Sequence, residues 1–153
     1  MGGILMNRKE RNSLEYTKAQ LEEFSDNTIL EVLPQKTDEG SSSKYVLIKH
    51  DYYSSDSEHG RDLLASFLAS ITESSYHSIV VYLVDKGVLL LDRSNTLYEQ
   101  MQLLIKKADT VIVDEDSAFI YNVNDYTNTK ISVQSFKSIS EDILYSSDLL
   151  ILE

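Results

Sequence analysis

Residues 45–84 read YVLIKHDYYSSDSEHGRDLLASFLASITESSYHSIVVYLV, and this stretch decides the fold. Tyr45-Val46-Leu47-Ile48 is a continuous apolar run, as expected of a strand buried on both faces. Glu58 to Glu73 has a different period: Leu63, Leu64, Phe67, Leu68 and Ile71 recur at helical spacing. Ser78-Ile79-Val80-Val81-Tyr82-Leu83-Val84 then returns to strand grammar. Strands separated by a helix imply parallel pairing with a right-handed crossover.

The same alternation continues toward the C-terminus. Val88-Leu89-Leu90-Leu91 follows a turn at Gly87. Ser94 is the expected N-cap of a helix carrying Leu97, Met101, Leu104 and Ile105 on one face. That helix ends near Lys106-Lys107, where cations suit the negative end of the helix dipole. Thr110-Val111-Ile112-Val113 is the third core strand, and a weaker helix or turn spans Ser117 to Asn122. Lys130-Ile131-Ser132-Val133 is strand-like, Ser138 or Ser140 caps a helix through Ile143 and Leu144, and Leu149-Leu150-Ile151-Leu152 closes the sheet. The expected fold is α/β: an open, mostly parallel sheet with helices on both faces, in flavodoxin- or Rossmann-like layering. Toward the N-terminus, Asn7 to Phe24 reads as a helix with a thin apolar stripe, and Asn27 to Leu33 as a short strand ended by Pro34. Thr37-Asp38-Glu39-Gly40-Ser41-Ser42-Ser43 is a linker. Residues 1–43 therefore form a short helix-strand arm with its linker, and 44–153 form the α/β domain.

Composition narrows the function classes. With 25 Asp+Glu against 14 Lys+Arg, the surface repels phosphate backbones, so neither nucleic acid nor an anionic membrane is an expected partner. No apolar run approaches the roughly 20 residues that span a bilayer. Gly2-Gly3-Ile4-Leu5-Met6 is too short for a signal-peptide apolar region, and the myristoylation pattern fails at Met6, so the expected location is cytoplasmic. There is no cysteine, which excludes disulfides, thiolate metal sites, persulfide carriage and thiol catalysis.

The order of features from Tyr45 to Leu152 resembles the DsrE/DsrF-like family, most closely the C-terminal domain of YedF-type proteins of sulfur and selenium metabolism. His59-Gly60-Arg61-Asp62-Leu63-Leu64, then Phe67, then Ile71-Thr72-Glu73, looks like the family's helix, which opens with Leu-Gly and runs toward Leu-Thr-Glu. Val81-Tyr82-Leu83-Val84-Asp85-Lys86-Gly87-Val88 resembles the family's strand and Asn-x-Gly-Val turn, with Asp85 for Asn. Ser94, Leu97, Met101, Leu103 and Leu104 fit its next helix, and Ser146-Ser147-Asp148 to Leu152 its tail. The departure lies at the chemistry. Where the YedF type has a Cys-Gly-x-Cys loop, Glu115 and Ala118 occupy the cysteine positions of Val113-Asp114-Glu115-Asp116-Ser117-Ala118-Phe119. Thr17 to Glu22 with Leu30-Glu31-Val32 is similar to the helix and strand of a TusA-like domain, shortened and without its Cys-Pro-x-Pro.

In open α/β sheets, ligands bind beyond the carboxyl ends of the strands. The loops there are Asp51 to His59, Asp85 to Gly87 and Asp114 to Ala118. The candidate cleft residues are His59, Gly60, Asp85, Lys86, Gly87, Asp114, Glu115, Asp116 and Ala118. Asp85, Asp114, Glu115 and Asp116 would make the cleft acidic, suited to a cation or a basic partner; the plainer reading is a solvated acidic loop. His50, His59 and His77 match no common ligand spacing, so no metal site and no cofactor are expected. Gly60 and Gly87 stand alone, which leaves a dinucleotide or P-loop cradle unsupported. No Gly-x-Ser-x-Gly elbow exists. Tyr52 and Tyr53 are candidates to line the cleft, Tyr121 and Tyr126 to pack at an interface.

The resemblance implies a scaffold that self-associates, as homo-oligomer or with a protein partner. The missing cysteines turn the expectation to a non-catalytic binding or regulatory module without sulfurtransferase activity. Two other readings stand beside it: cysteine-independent acid-base chemistry by Glu115 with Asp116 or His59, and a vestigial paralogue. An enclosed apolar pocket around Glu115 would favour the enzyme, a solvated Glu115 would not.

Overall fold

The computed structural model describes residues 43–153. The arm helix, the arm strand and the TusA-like stretch lie outside the described residues. Five strands, β1 (Ser43–Ile48), β2 (Ser78–Leu83), β3 (Thr110–Asp114), β4 (Ile131–Gln134) and β5 (Leu149–Leu152), form one sheet in the order β4-β3-β2-β1-β5. Every pairing is parallel, so the expected α/β sheet is present. The helices are α1 (Glu58–Thr72), α2 (Tyr98–Lys107), α3 (Glu115–Ile120) and α4 (Phe136–Leu144), with a 3-10 segment over Asp85–Leu91.

The strand order dictates which face each helix covers. From β1 to β4 the chain steps one place at a time in the same direction. Right-handed crossovers then deliver α1, the 3-10 segment with α2, and α3 to one face. The last connection runs back past β3, β2 and β1 to the far edge, so α4 lands on the opposite face.

Register turns the period-2 alternation of each strand into continuous apolar rows. One row is Leu150, Val46, Val81, Val111 and Ile131; the next is Leu152, Ile48, Leu83, Val113 and Val133. Both face the main core, where they meet Leu64, Leu68, Met101, Leu104 and Ile105 from α1 and α2. On the other face Leu47, Tyr82 and Ile112 align, flanked by Ile151 at one edge and Ser132 at the other. There α4 contributes a single fully buried residue, Ile139, packed with Tyr82, Val84 and Ile112. One nine-residue helix is too small to cover a five-stranded face, and Ile151 is left exposed.

Three local expectations are corrected. Ser94 does not cap α2: its hydroxyl donates to Asp92, and Asn95 Oδ1 accepts from Leu97 N–H before the helix starts at Tyr98. The N-cap position itself is held by Leu97, which makes no side-chain cap bond, while the Asn95 carbonyl closes a local turn on the amide two residues on. Neither Ser138 nor Ser140 caps α4; Ser135 does, accepting from Ser138 N–H, and the helix begins earlier. Ser43, assigned to the linker, is the first residue of β1 and pairs with Ser78. The Val88–Leu91 run is wound into the 3-10 segment that starts at Asp85. Gly87 within it is required sterically, since a Cβ there would lie 2.2 Å from the Ile48 carbonyl oxygen.

Gly87→Ala should therefore destabilise the protein by ~2 kcal/mol or more, read from the urea midpoint, because backbone and not a flexible side chain occupies the space. A second expectation concerns Tyr82, only 2% exposed. Burial, with help from the Asp142 and Tyr45 charges, pushes its phenol from 10.0 to about 12. A raised acid favours the folded state until the unfolded chain begins to ionise. That contribution should be complete below pH 10.0 and lost as the pH climbs through about 12. Urea unfolding at stepped pH should show this decline, and Tyr82→Phe should flatten it.

Candidate functional site

The carboxyl ends of β1, β2 and β3 are tied together by short polar contacts. Val84 N–H donates to the Ile48 carbonyl at 3.1 Å, and Gly87 N–H donates to Val84 at 2.8 Å. Asp85 adopts a left-handed backbone, φ 50°, which Asp tolerates better than most residues. Its N–H donates at 2.7 Å to Ser117 Oγ. The same hydroxyl donates to Asp114 Oδ2, which also accepts Ser117 N–H at 3.0 Å. Asp114 thus caps α3, and Ser117 carries the cap across to the start of the 3-10 segment. Tyr121, at the other end of α3, donates its hydroxyl to Asp85 Oδ1 at 3.1 Å. That bond, to an acceptor that is a carboxylate, holds the Tyr121 phenol above its ordinary range.

Both ends of α3 are secured. After Tyr121, Asn122 is left-handed at φ 57°. Asn122 N–H donates to Phe119, and Val123 N–H to Ala118. This is the paired-bond ending that halts short helices, with Asn in the place that often takes Gly. A six-residue helix has little stability of its own, so these caps hold it.

The nine expected residues separate into distinct settings. Asp85, Lys86 and Gly87 lie on the 3-10 segment, with Asp85 exposed and Gly87 buried. Asp114 is 6% exposed and committed to the cap, while its Oδ1 has no hydrogen-bond partner among the described residues. Glu115 and Asp116 are exposed on the first turn of α3, and Ala118 is buried. Glu115 and Ala118 share a concavity of about 290 Å³ with Phe119, Tyr126 and Val133. His59 is exposed on the first turn of α1. Gly60 belongs to the preceding loop's packing, where a Cβ would lie 1.8 Å from the Ser55 carbonyl oxygen. No hydrogen bond among the described residues joins His59 to the Asp85–Asp114 group.

Of the four carboxylates expected to make an acidic cleft, Asp114 is buried and spent on the cap, while Asp85, Glu115 and Asp116 are exposed. Among the described residues no group of three or more His, Asp or Glu is placed to hold a metal ion. What the arrangement does chemically is position α3 against the 3-10 segment that follows β2. Reading the sequence missed Ser117 as the link and Tyr121 as its outer brace. The Asp-x-x-Ser spacing of Asp114 and Ser117 is the available signal, because a cap and its third helical residue meet at that distance.

No family model matches the chain, and no curated protein matches it in sequence. Solved structures share its fold. A conserved protein of unknown function from Bacteroides thetaiotaomicron, BT1422, superposes with TM-score 0.53 at 17% identity, over 71% of this chain and 94% of the other. The ychN protein from E. coli, of DsrE/DsrF-like fold, superposes with TM-score 0.50 at 11% identity, over 72% of this chain and all of the other, 100%. The fold is DsrE-like. Among the described residues no helix is long and apolar enough to cross a membrane.

Ser117→Ala removes a donor to a buried carboxylate and an acceptor for Asp85 N–H together. A loss of about 2–3 kcal/mol in urea unfolding is expected. Amide exchange at Asp85 should accelerate in the same variant.

Proposed function

We propose that this chain is a YedF-type member of the DsrE-like proteins that has lost sulfur transfer and acts as an oligomeric binding or regulatory module. The N-terminal arm is, in this reading, a shortened TusA-like remnant. The observation that carries it is the state of the loop where the family's cysteines belong. Glu115 is exposed, Ala118 is buried, and the helical turn between them is tied to the 3-10 segment through Asp114 and Ser117. A persulfide needs a thiolate, and the chain has no cysteine anywhere. A carboxylate acting as acid or base needs an enclosure that shifts it, and exposed Glu115 has none, so acid-base catalysis is not the reading advanced.

The assembly part rests on exposed apolar surface beside that loop. Phe119 is 87% exposed, and Ile120 and Val133 are exposed close to it in the chain and in the sheet. Phe119 and Val133 line the same concavity. Strand β4 is an edge of the sheet, with one side unpaired among the described residues. Apolar surface beside an unpaired strand suits protein contact better than water.

Light scattering after size exclusion should give a mass above the 17.4 kDa monomer at high micromolar concentration. Phe119→Asp should move that mass toward the monomer while leaving the fold intact. A clean monomer for the unaltered chain would overturn the assembly part.

A further inference from the structure

The face of the sheet that α4 covers among the described residues holds an open groove of about 490 Å³ beside the last turn of that helix. Tyr45, Val80, Tyr82, Ile112, Asp142 and Tyr145 are among its lining residues. Its strand residues include Tyr45, Val80 and Thr110, near the amino ends of β1, β2 and β3, so it is separate from the Asp85–Asp114 cluster.

Its chemistry is specific. Glu141 and Asp142 line it, with no lysine or arginine among the lining residues. Glu141 is paired with Lys137 at 2.8 Å, whereas Asp142 has no ion pair among the described residues. Tyr82 is 2% exposed and lines this groove; its hydroxyl makes no hydrogen bond among the described residues and is not one of the polar atoms sealed from solvent without a partner, so it is left to water in the groove. Asp142 lies near enough for its charge to act on that phenol. An anion here would meet two carboxylates on a chain of net charge −11. An uncharged apolar ligand would leave the Tyr82 hydroxyl unsatisfied. A cation with N–H donors meets both requirements: a carboxylate for its charge and a phenol oxygen for a hydrogen bond. Val80 and Ile112 supply an apolar wall for a short stem.

The geometry points to a binding site for a primary alkylammonium group, held by the exposed carboxylate of Asp142 and the hydroxyl of Tyr82 in the groove that Tyr45 and the exposed Tyr145 also line. The group belongs either to a free amine or to the lysine side chain of a protein.

The test is a titration of the full chain, its tyrosine rings labelled for NMR, with n-butylammonium, n-butyrate and N-acetyl-Gly-Lys-Gly-amide. Saturable millimolar shifts of the Tyr45, Tyr82 and Tyr145 signals are expected with n-butylammonium and not with n-butyrate. Asp142→Asn and Tyr82→Phe should each weaken the binding about fivefold, as loss of one exposed charge or one hydrogen bond does. Equal binding of the lysine peptide supports the site and identifies a protein side chain as its ligand; binding of n-butylammonium alone supports it and identifies a free amine. The proposal is overturned by the absence of saturable shifts, by equal shifts with n-butyrate, or by unchanged affinity in both variants.

Discussion

The structure depends on one constraint: a parallel sheet must hide both faces, and right-handed crossovers allocate helices according to the direction of each strand step. Here the chain takes its first steps all one way and a single step back. One face therefore receives three connections and a dense core. Among the described residues the other receives only α4. The well-packed rows of Val46, Val81, Val111 and of Ile48, Leu83, Val113 lie on the first face. The cavity, the half-covered Ile151 and the tyrosine-lined wall lie on the second. Differences of chemistry between the faces follow from topology before any side chain is considered.

At the carboxyl end of the sheet the governing interaction is smaller. Ser117 stands between Asp85 and Asp114 as acceptor and donor at once. That double role turns what looked like a loose acidic loop into a fixed one. A buried carboxylate is tolerated because the cap amide and the hydroxyl compensate part of its lost hydration. The same bonds remove Asp114 from any ligand-binding role that needs its Oδ2. The Asp114–Ser117 turn is here a fixed support for α3, on which Phe119 and Ile120 are exposed.

Much of the architecture was legible in the residues. Continuous apolar runs announced β1, β2 and β3, and the recurrence of Leu64, Leu68 and Ile71 announced α1 almost to its ends. The caps were less legible. Ser94, Ser138 and Ser140 are all competent caps in isolation, yet α2 starts after Leu97 with no side-chain cap and Ser135 caps α4. A serine signals that a helix can start nearby, and packing chooses which of several serines is used. The candidate cleft was legible as three loops at one end of the sheet. Its internal wiring was not, because Ser117 and Asp85 are 32 residues apart.

The sequence by itself determined the class of fold, the acidic surface and the impossibility of thiol chemistry. Those follow from local period and composition, which need no knowledge of neighbours. Tertiary structure alone decided that Asp114 is spent on a cap, that Glu115 is left in water, and that Tyr82 is buried beside Asp142. Each of these depends on which distant residues share a face or an end of the sheet. That is set by strand order and crossover direction, and neither is written in any single stretch of the chain.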